Sequence, residues 1–218
     1  MSQSSSKPRK LESRFIADYI VEINPKFQKV IELSGYCGIG VRDQGSTTTG
    51  RESNFSSLAS SILSQQLSTK AAATIIDRVK ELSGGTLRAE KLASLTSSEL
   101  RAAGCSGAKA RAIHELATAT KNDLIPMRNL HQMSDEEIMG HLLPLFGVGK
   151  WTVEMFLIFQ LQRKDIWPVG DLGVRRGWEK IHRMRTEVDP KKLAKLGAIY
   201  APFRTHVAWY CWRAVEVL

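Results

Sequence analysis

The chain has 218 residues, 31 lysines and arginines against 22 aspartates and glutamates, and a formal net charge of +9. With 43% hydrophobic and 24% charged residues it has the make-up of an ordinary globular chain, which excludes a disordered or fibrous protein. No apolar run approaches the roughly 20 residues needed to cross a bilayer, and the Ser- and Lys-rich start from Met1 to Lys10 lacks the apolar core of a secretory signal. An intracellular protein without a membrane span is therefore expected. Cys37, Cys105 and Cys211 are too widely spaced for a disulfide framework or a CxxC metal clip, and read as reduced thiols of a cytosol or nucleus. The surplus positive charge points to a polyanionic partner, of which nucleic acid is the commonest.

Residues 1 to about 12 are polar. From Arg14 to Leu33 the apolar positions follow helical spacing on either side of Pro25, which predicts two short helices broken at Asn24-Pro25. Gly35 to Ser53 contains five glycines and three consecutive threonines and reads as a loop. Phe55, Leu58, Ala59, Ile62, Leu63 and Gln66 then share one helical face, and Ala71 to Leu82 repeats the pattern before Gly84-Gly85 stops it. Thr96-x-x-Glu99 and Ser134-x-x-Glu137 are capping boxes, and Asp189-Pro190 is a cap followed by an N1 proline. No segment alternates with period two over any length. The expected fold is all-α, with about nine or ten short helices.

The most informative stretch runs from Asp135 to Arg176. Glu136 to Leu145 reads as a helix, Phe146-Gly147-Val148-Gly149 as a tight turn, and Lys150 to Leu161 as a second helix with Trp151, Met155, Ile158 and Phe159 facing inward. Two glycines around one aliphatic residue let the backbone turn sharply and present amide N–H groups at a helix start, where the dipole favours an anion. Such a hairpin can hold a DNA phosphate without reading sequence. The same turn is also compatible with a plain helix-helix connection. Beyond Trp167-Pro168-Val169-Gly170 comes Asp171, at the start of a basic segment carrying Arg175, Arg176, Lys180, Arg183 and Arg185. Asp171 also suits a simple N-cap of the helix that begins there.

Together these residues resemble the helix-hairpin-helix (HhH-GPD) DNA glycosylases. The local match is Leu145-Phe-Gly-Val-Gly-Lys-Trp-Thr152 followed by Asp165-Ile-Trp-Pro-Val-Gly-Asp171-Leu-Gly-Val-Arg-Arg176. Ile62-Leu-Ser-Gln-Gln-Leu-Ser68 looks like the family's minor-groove wedge region, Gly104 to Ile113 like its degenerate first hairpin, and Pro202 to Trp212 like its last helix. Bifunctional members carry a lysine nucleophile where this chain has Trp151, so the pattern looks like the monofunctional 3-methyladenine glycosylase II branch, which hydrolyses only the N-glycosidic bond and leaves an abasic site. Gly173 stands where other branches carry a histidine.

The resemblance implies two helical lobes with the active site in the cleft between them. The residues divide as 1–53, a tail, helices and loop packing on the second lobe; 54–130, a lobe with the wedge and degenerate hairpin; and 131–218, with the main hairpin, the aspartate and the C-terminal helices. It implies Asp171 as the catalytic carboxylate, Trp151 and Trp212 as a base pocket, and Gly147, Gly149, Lys150, Thr152, Gln66 and Leu67 as DNA contacts. A monovalent cation, Na+ or K+, would be held in the hairpin by the backbone carbonyls of Leu143, Leu145 and Val148. No cofactor is required, and an iron-sulfur cluster is not expected of a chain with only Cys211 at its C-terminal end. The partner is double-stranded DNA containing alkylated purines, met by a monomer in the cytoplasm of a prokaryote or the nucleus of a eukaryote. The rival reading is a non-catalytic helix-hairpin-helix protein that binds damaged or structured DNA. Against it stands Asp171.

Overall fold

The structure is a computed structural model that describes residues 7–41 and 52–218. Among the described residues there are twelve α-helices and no strand. In chain order they are α1 (Lys7–Ile23), α2 (Gln28–Ser34), α3 (Asn54–Ser64), α4 (Thr69–Leu82), α5 (Ala89–Leu92), α6 (Ser97–Ala102), α7 (Gly107–Lys121), α8 (Asp135–Leu142), α9 (Lys150–Met155), α10 (Leu172–His182), α11 (Pro190–Gly197) and α12 (Arg204–Val217). Short 3-10 turns join several of them, and α9 runs directly into a π-helical turn, Phe156–Gln160. Most of the loop expected at Gly35 to Ser53 lies outside the described residues.

The helix boundaries follow local chemistry. Asn24 accepts the Lys26 N–H and places Pro25 at the start of a 3-10 turn, which is why the first apolar stretch breaks there. Thr96 and Glu99, and Ser134 and Glu137, make both reciprocal bonds of a capping box. Asp189 caps α11 with Pro190 at N1. Ser53, Ser68 and Ser106 each accept a backbone N–H at the starts of α3, α4 and α7, so α4 begins two residues earlier than the apolar spacing alone predicts.

The chain forms two compact units, Met1–Thr49 with Leu157–Leu218, and Gly50–Phe156. This differs from the expected boundary at residue 130. The hairpin residues 131–156 fall in the unit of α3–α7, where Gly147 approaches Ala112, Gln65 donates to the Gly147 carbonyl and Glu115 accepts the Phe146 N–H. In the unit Gly50–Phe156, α7 is the central element: α3, α5 and α6 pack against it, burying Leu58, Ile62, Leu63, Leu92, Leu100, Ile113 and Leu116. In the other unit α10 and α12 make the most extensive helix pair. They share a core with Ile16, Ile20, Phe27 and Val30 of the N-terminal segment and with Trp167, Trp178, Tyr200 and Tyr210.

Two expectations about side-chain direction are corrected. Gln66 does not continue the buried face of α3: that helix ends at Ser64, and Gln66 is an exposed turn residue at φ 57°. Trp151 and Phe159 do not face inward. They are 48% and 51% exposed, whereas Val153, Leu157 and Ile158 are buried.

Candidate functional site

The turn between α8 and α9 is built from the backbone outward. Leu145 N–H donates to the Leu142 carbonyl at 3.2 Å and Val148 N–H to the Leu145 carbonyl at 3.2 Å, reversing the chain. Gly147 sits at φ 77°, and a Cβ there would lie 2.9 Å from Ala112 Cβ on α7. Glycine is thus required twice, for the left-handed backbone and for the close approach to α7. The neighbouring contacts fix the turn in place. Glu115 accepts the Phe146 N–H at 3.0 Å, Arg111 pairs with Glu115 at 2.9 Å, and its guanidinium lies 4.0 Å above the Phe146 ring. The Arg111 bond and the Phe146 N–H hold the Glu115 carboxyl below its ordinary range. Gln65 donates from Nε2 to the Gly147 carbonyl at 3.0 Å and to Thr152 Oγ1 at 3.3 Å.

At the start of α9, Gly149 is the N-cap, with no side chain to satisfy the amides that follow. Both Gly149 and Lys150 are exposed, and a Cβ on Gly149 would meet nothing within 4 Å. Lys150 Nζ lies 3.8 Å from the buried Glu154 carboxylate one turn on. Thr152, expected among the DNA contacts, is only 3% exposed and its hydroxyl accepts from Gln65. Its side chain belongs to the interior of the hairpin and its carbonyl accepts the Phe156 N–H, so the expectation that Thr152 contacts DNA is not met by its exposure.

The turn between α3 and α4 presents Gln66 and Leu67 to solvent. Leu67 is 39% exposed, and Gln66 is one of few non-glycine residues with a left-handed backbone, a conformation that costs energy and clusters at functional turns. Lys109 Nζ caps the end of α3 by donating to the Leu63 carbonyl at 2.7 Å. Gln66 and Leu67 thus lie at a helix-turn boundary, as the sequence predicts. The bracing of the hairpin by Gln65, Arg111 and Glu115 has no local signature, since each of their contacts with it spans more than thirty residues.

In the other unit, Asp171 ends a loop tied down at several points. Arg204 grips Asp165 with two bonds of 2.7 and 2.8 Å. The buried Thr205 hydroxyl donates to the Arg163 carbonyl at 2.8 Å and accepts the Ile166 N–H at 2.9 Å. Trp167 Nε1 donates to the Leu193 carbonyl at 3.0 Å. Asp171 N–H then closes a turn on the Pro168 carbonyl at 2.9 Å. Asp171 is the N-cap of α10: its Oδ1 accepts the Val174 N–H at 2.8 Å and also the Trp212 indole N–H at 2.9 Å. The Trp212 ring stacks on Phe159, with centroids 5.6 Å apart and planes 28° apart. The Val174 amide and the Trp212 indole thus meet on the same carboxylate oxygen, Oδ1.

Trp151 and Trp212 are both partly open to solvent, as a base-stacking role requires. The other tryptophans pack elsewhere. Trp167 and Trp178 are core residues packed edge to face, centroids 5.9 Å apart, and Trp209 lies edge-on to Tyr210. Phe159 was missed as a site residue, and its place four residues beyond Met155 and eight beyond Trp151 was the only signal for it. Among the described residues no cluster of His, Cys, Asp or Glu could hold a metal. Cys37, Cys105 and Cys211 are separate buried thiols, and burial pushes Cys37 up to about 12.

Comparison with known proteins agrees with this geometry. Residues 59–202 match the family model described as "HhH-GPD superfamily base excision DNA repair protein". A Schizosaccharomyces pombe protein named DNA-3-methyladenine glycosylase 1 is 36% identical over 166 residues, covering 75% of this chain and 73% of that protein. A solved structure of the S. pombe 3-methyladenine DNA glycosylase in complex with abasic DNA superposes with a TM-score of 0.76 at 30% identity, over 92% of this chain and 96% of that one. A DNA-3-methyladenine glycosidase from Bacillus halodurans superposes with a TM-score of 0.77 at 31% identity, over 98% and 92%.

Proposed function

Because this chain belongs to the HhH-GPD superfamily of base excision DNA repair proteins, we propose that it is a monofunctional DNA glycosylase that flips and excises alkylated purines, with Asp171 as its catalytic carboxylate. The class of activity is that of the relatives named DNA-3-methyladenine glycosylases. The observation that carries the residue assignment is the Asp171 carboxylate, held at the head of α10 by the Val174 N–H and the Trp212 indole.

The chemistry follows from what each group can do. A base inside a duplex is unreachable and must leave the stack, and exposed Leu67 beside the strained Gln66 is suited to fill the gap. A purine alkylated on a ring nitrogen carries positive charge and leaves readily, so recognition can rest on aromatic faces that favour a cation. Trp151 and Trp212 supply such faces. As the N-glycosidic bond breaks, its electron pair goes to the departing base and positive charge grows on the sugar. The Asp171 carboxylate stabilises that charge and orients the water whose oxygen bonds to the anomeric carbon. The attacking water gives up its proton to solvent, the cationic purine departs as a neutral base, and the products are free base and an abasic site. Lys150 and the amides at the start of α9 serve the DNA backbone as anchors, and the exposed Arg176, Arg183 and Arg185 add sequence-independent attraction.

With Trp151 in place of a lysine nucleophile, no Schiff base forms and the DNA strand stays intact. The hairpin also suits a monovalent cation bridging to phosphate. The Leu145 carbonyl already accepts the Val148 N–H, and a carbonyl oxygen has a second lone pair for a cation alongside those of Leu143 and Val148. The reading includes a chain that acts as a monomer on double-stranded DNA.

The test is release of base from duplex DNA carrying 3-methyladenine, 7-methylguanine or ethenoadenine, analysed with and without alkali. Free base from at least one lesion, with strand breaks only after alkali, is expected. No base from any of them contradicts the enzyme reading in favour of a binding protein. Breaks without alkali, or a covalent complex trapped by borohydride, contradict monofunctionality.

A further inference from the structure

Gly173 and Gly177 lie one turn apart on α10, on the side that receives α12. A Cβ on Gly177 would fall 1.8 Å from the Cys211 carbonyl oxygen, so the two helix backbones are in direct contact there. One turn towards the N-terminus, a Cβ on Gly173 would lie 2.8 Å from Trp212 Cδ1, 3.2 Å from Trp212 Nε1 and 3.1 Å from Asp171 Oδ1. The Trp212 indole therefore occupies the space that any side chain at position 173 would take. Its edge, not its face, is turned to the carboxylate: Nε1–H donates to Asp171 Oδ1 at 2.9 Å. Phe159 stacks on one face of the indole and sets the plane of the ring from that side.

We propose that Trp212 is the positioning residue of Asp171, acting through its indole N–H, and that Gly173 is the residue that admits this arrangement. Two donors on one oxygen, the Val174 amide and the Trp212 indole, hold the carboxylate against rotation about Cβ–Cγ. Loss of the indole donor loosens that hold. The face of Trp212 remains available for a base; the edge has a separate duty. A larger residue at position 173 evicts the indole from the carboxylate. This inference rests on the glycosylase reading for its catalytic consequence, but not for its geometry.

The test uses the full chain and has two arms. In the first, without DNA, a 15N–1H spectrum identifies the Trp212 indole resonance by its disappearance in Trp212→Phe. That resonance moves in both Asp171→Asn and Gly173→Ala; a resonance unmoved by Asp171→Asn overturns the proposal. In the second arm, base release from duplex DNA containing 7-methylguanine is followed under single-turnover conditions over a range of enzyme concentrations. Phenylalanine keeps an aromatic face and removes the donor. Trp212→Phe is expected to lower the plateau rate about tenfold to a hundredfold while the half-saturating concentration stays within about threefold, the scale of one hydrogen bond to a charged group.

Gly173→Ala is expected to fall in the same range, and the double variant to be no slower than Trp212→Phe, since both act through one contact. Phe159→Leu, which leaves the indole in place without its stack, gives a smaller loss in the same direction. An unfolding midpoint near that of wild type shows that each variant retains its fold. A plateau at the wild-type rate in Trp212→Phe, a loss confined to the half-saturating concentration, or losses that multiply in the double variant overturns the proposal. A wild-type protein that releases no base contradicts the glycosylase reading instead, while the spectrum still decides whether Trp212 holds Asp171.

Discussion

The hairpin of Leu143 to Gly149 and the carboxylate centre around Asp171 are built on opposite plans. The hairpin closes its turn through backbone bonds that span three residues, although Gln65 and Glu115 brace it from elsewhere in the chain, and its outermost glycine, Gly149, has open space where a side chain would be. The carboxylate centre is assembled from afar. Asp171 meets Trp212 forty-one residues away, and its glycines, 173 and 177, have no space at all. A feature that anchors a phosphate needs only exposed amides. One that directs a charge needs an acid whose orientation is held by several elements at once, and that rigidity comes from close helix packing.

This contrast can be broken by substitution. Gly177→Ala has the largest expected effect: α12 must move away from α10, costing about 3 kcal/mol. It is measured as a drop in denaturation midpoint by tryptophan fluorescence, since four of the five tryptophans, all but Trp151, lie in the unit containing α10. A midpoint like that of wild type contradicts the backbone contact. Acid should act on the same unit. Burial, with a smaller contribution from Lys164, depresses His206 to about 4, while Glu12 opposes that shift. The unfolded state then binds a proton that the folded state refuses between about pH 6.5 and 4. Stability from this group is complete above about pH 6.5 and is lost on acidification towards pH 4, by as much as about 3 kcal/mol. Comparing unfolding midpoints of wild type and His206→Gln across that window should show a flatter dependence in the variant; parallel curves contradict it.

Smaller effects sharpen the comparison at the hairpin. Gly147→Ala forces a left-handed alanine against Ala112 and should cost about 2 kcal/mol in the unit Gly50–Phe156. Gly149→Ala meets nothing in the protein and should leave stability within about 0.5 kcal/mol of wild type. Its expected effect is on affinity for duplex DNA, a several-fold loss in a binding titration at fixed salt. Equal stability losses in both variants would erase the distinction between a turn glycine and a contact glycine.

How much was legible in the sequence follows the same division. The caps at Thr96, Ser134 and Asp189 were readable because both partners sit within three residues. So was the hairpin, and so was Asp171 as the cap of α10. The direction of Trp151 and Phe159 was not. From Lys150 to Gln160 apolar residues lie on every side of the helix, so periodicity offers two inward faces, and the one through Val153, Leu157 and Ile158 is chosen by packing. The π turn at Phe156–Gln160 shifts that register further. The assignment of residues 131–156 to the α7 unit depends on contacts such as Gly147 with Ala112, and Gln65 with Gly147, which no local pattern records. Thr152 carried a motif position but not an exposure.

The central claim is that the rigidly held acid performs the chemistry and the open hairpin performs the anchoring. The most direct test is single-turnover release of 7-methylguanine from duplex DNA by wild type and Asp171→Asn, with the DNA-bound fraction measured in the same samples. Asparagine can still accept the Val174 and Trp212 donors but lacks the charge that stabilises the sugar. The expected result is a plateau rate lowered by roughly a thousandfold with DNA binding little changed. Release by Asp171→Asn within about tenfold of wild type contradicts the account.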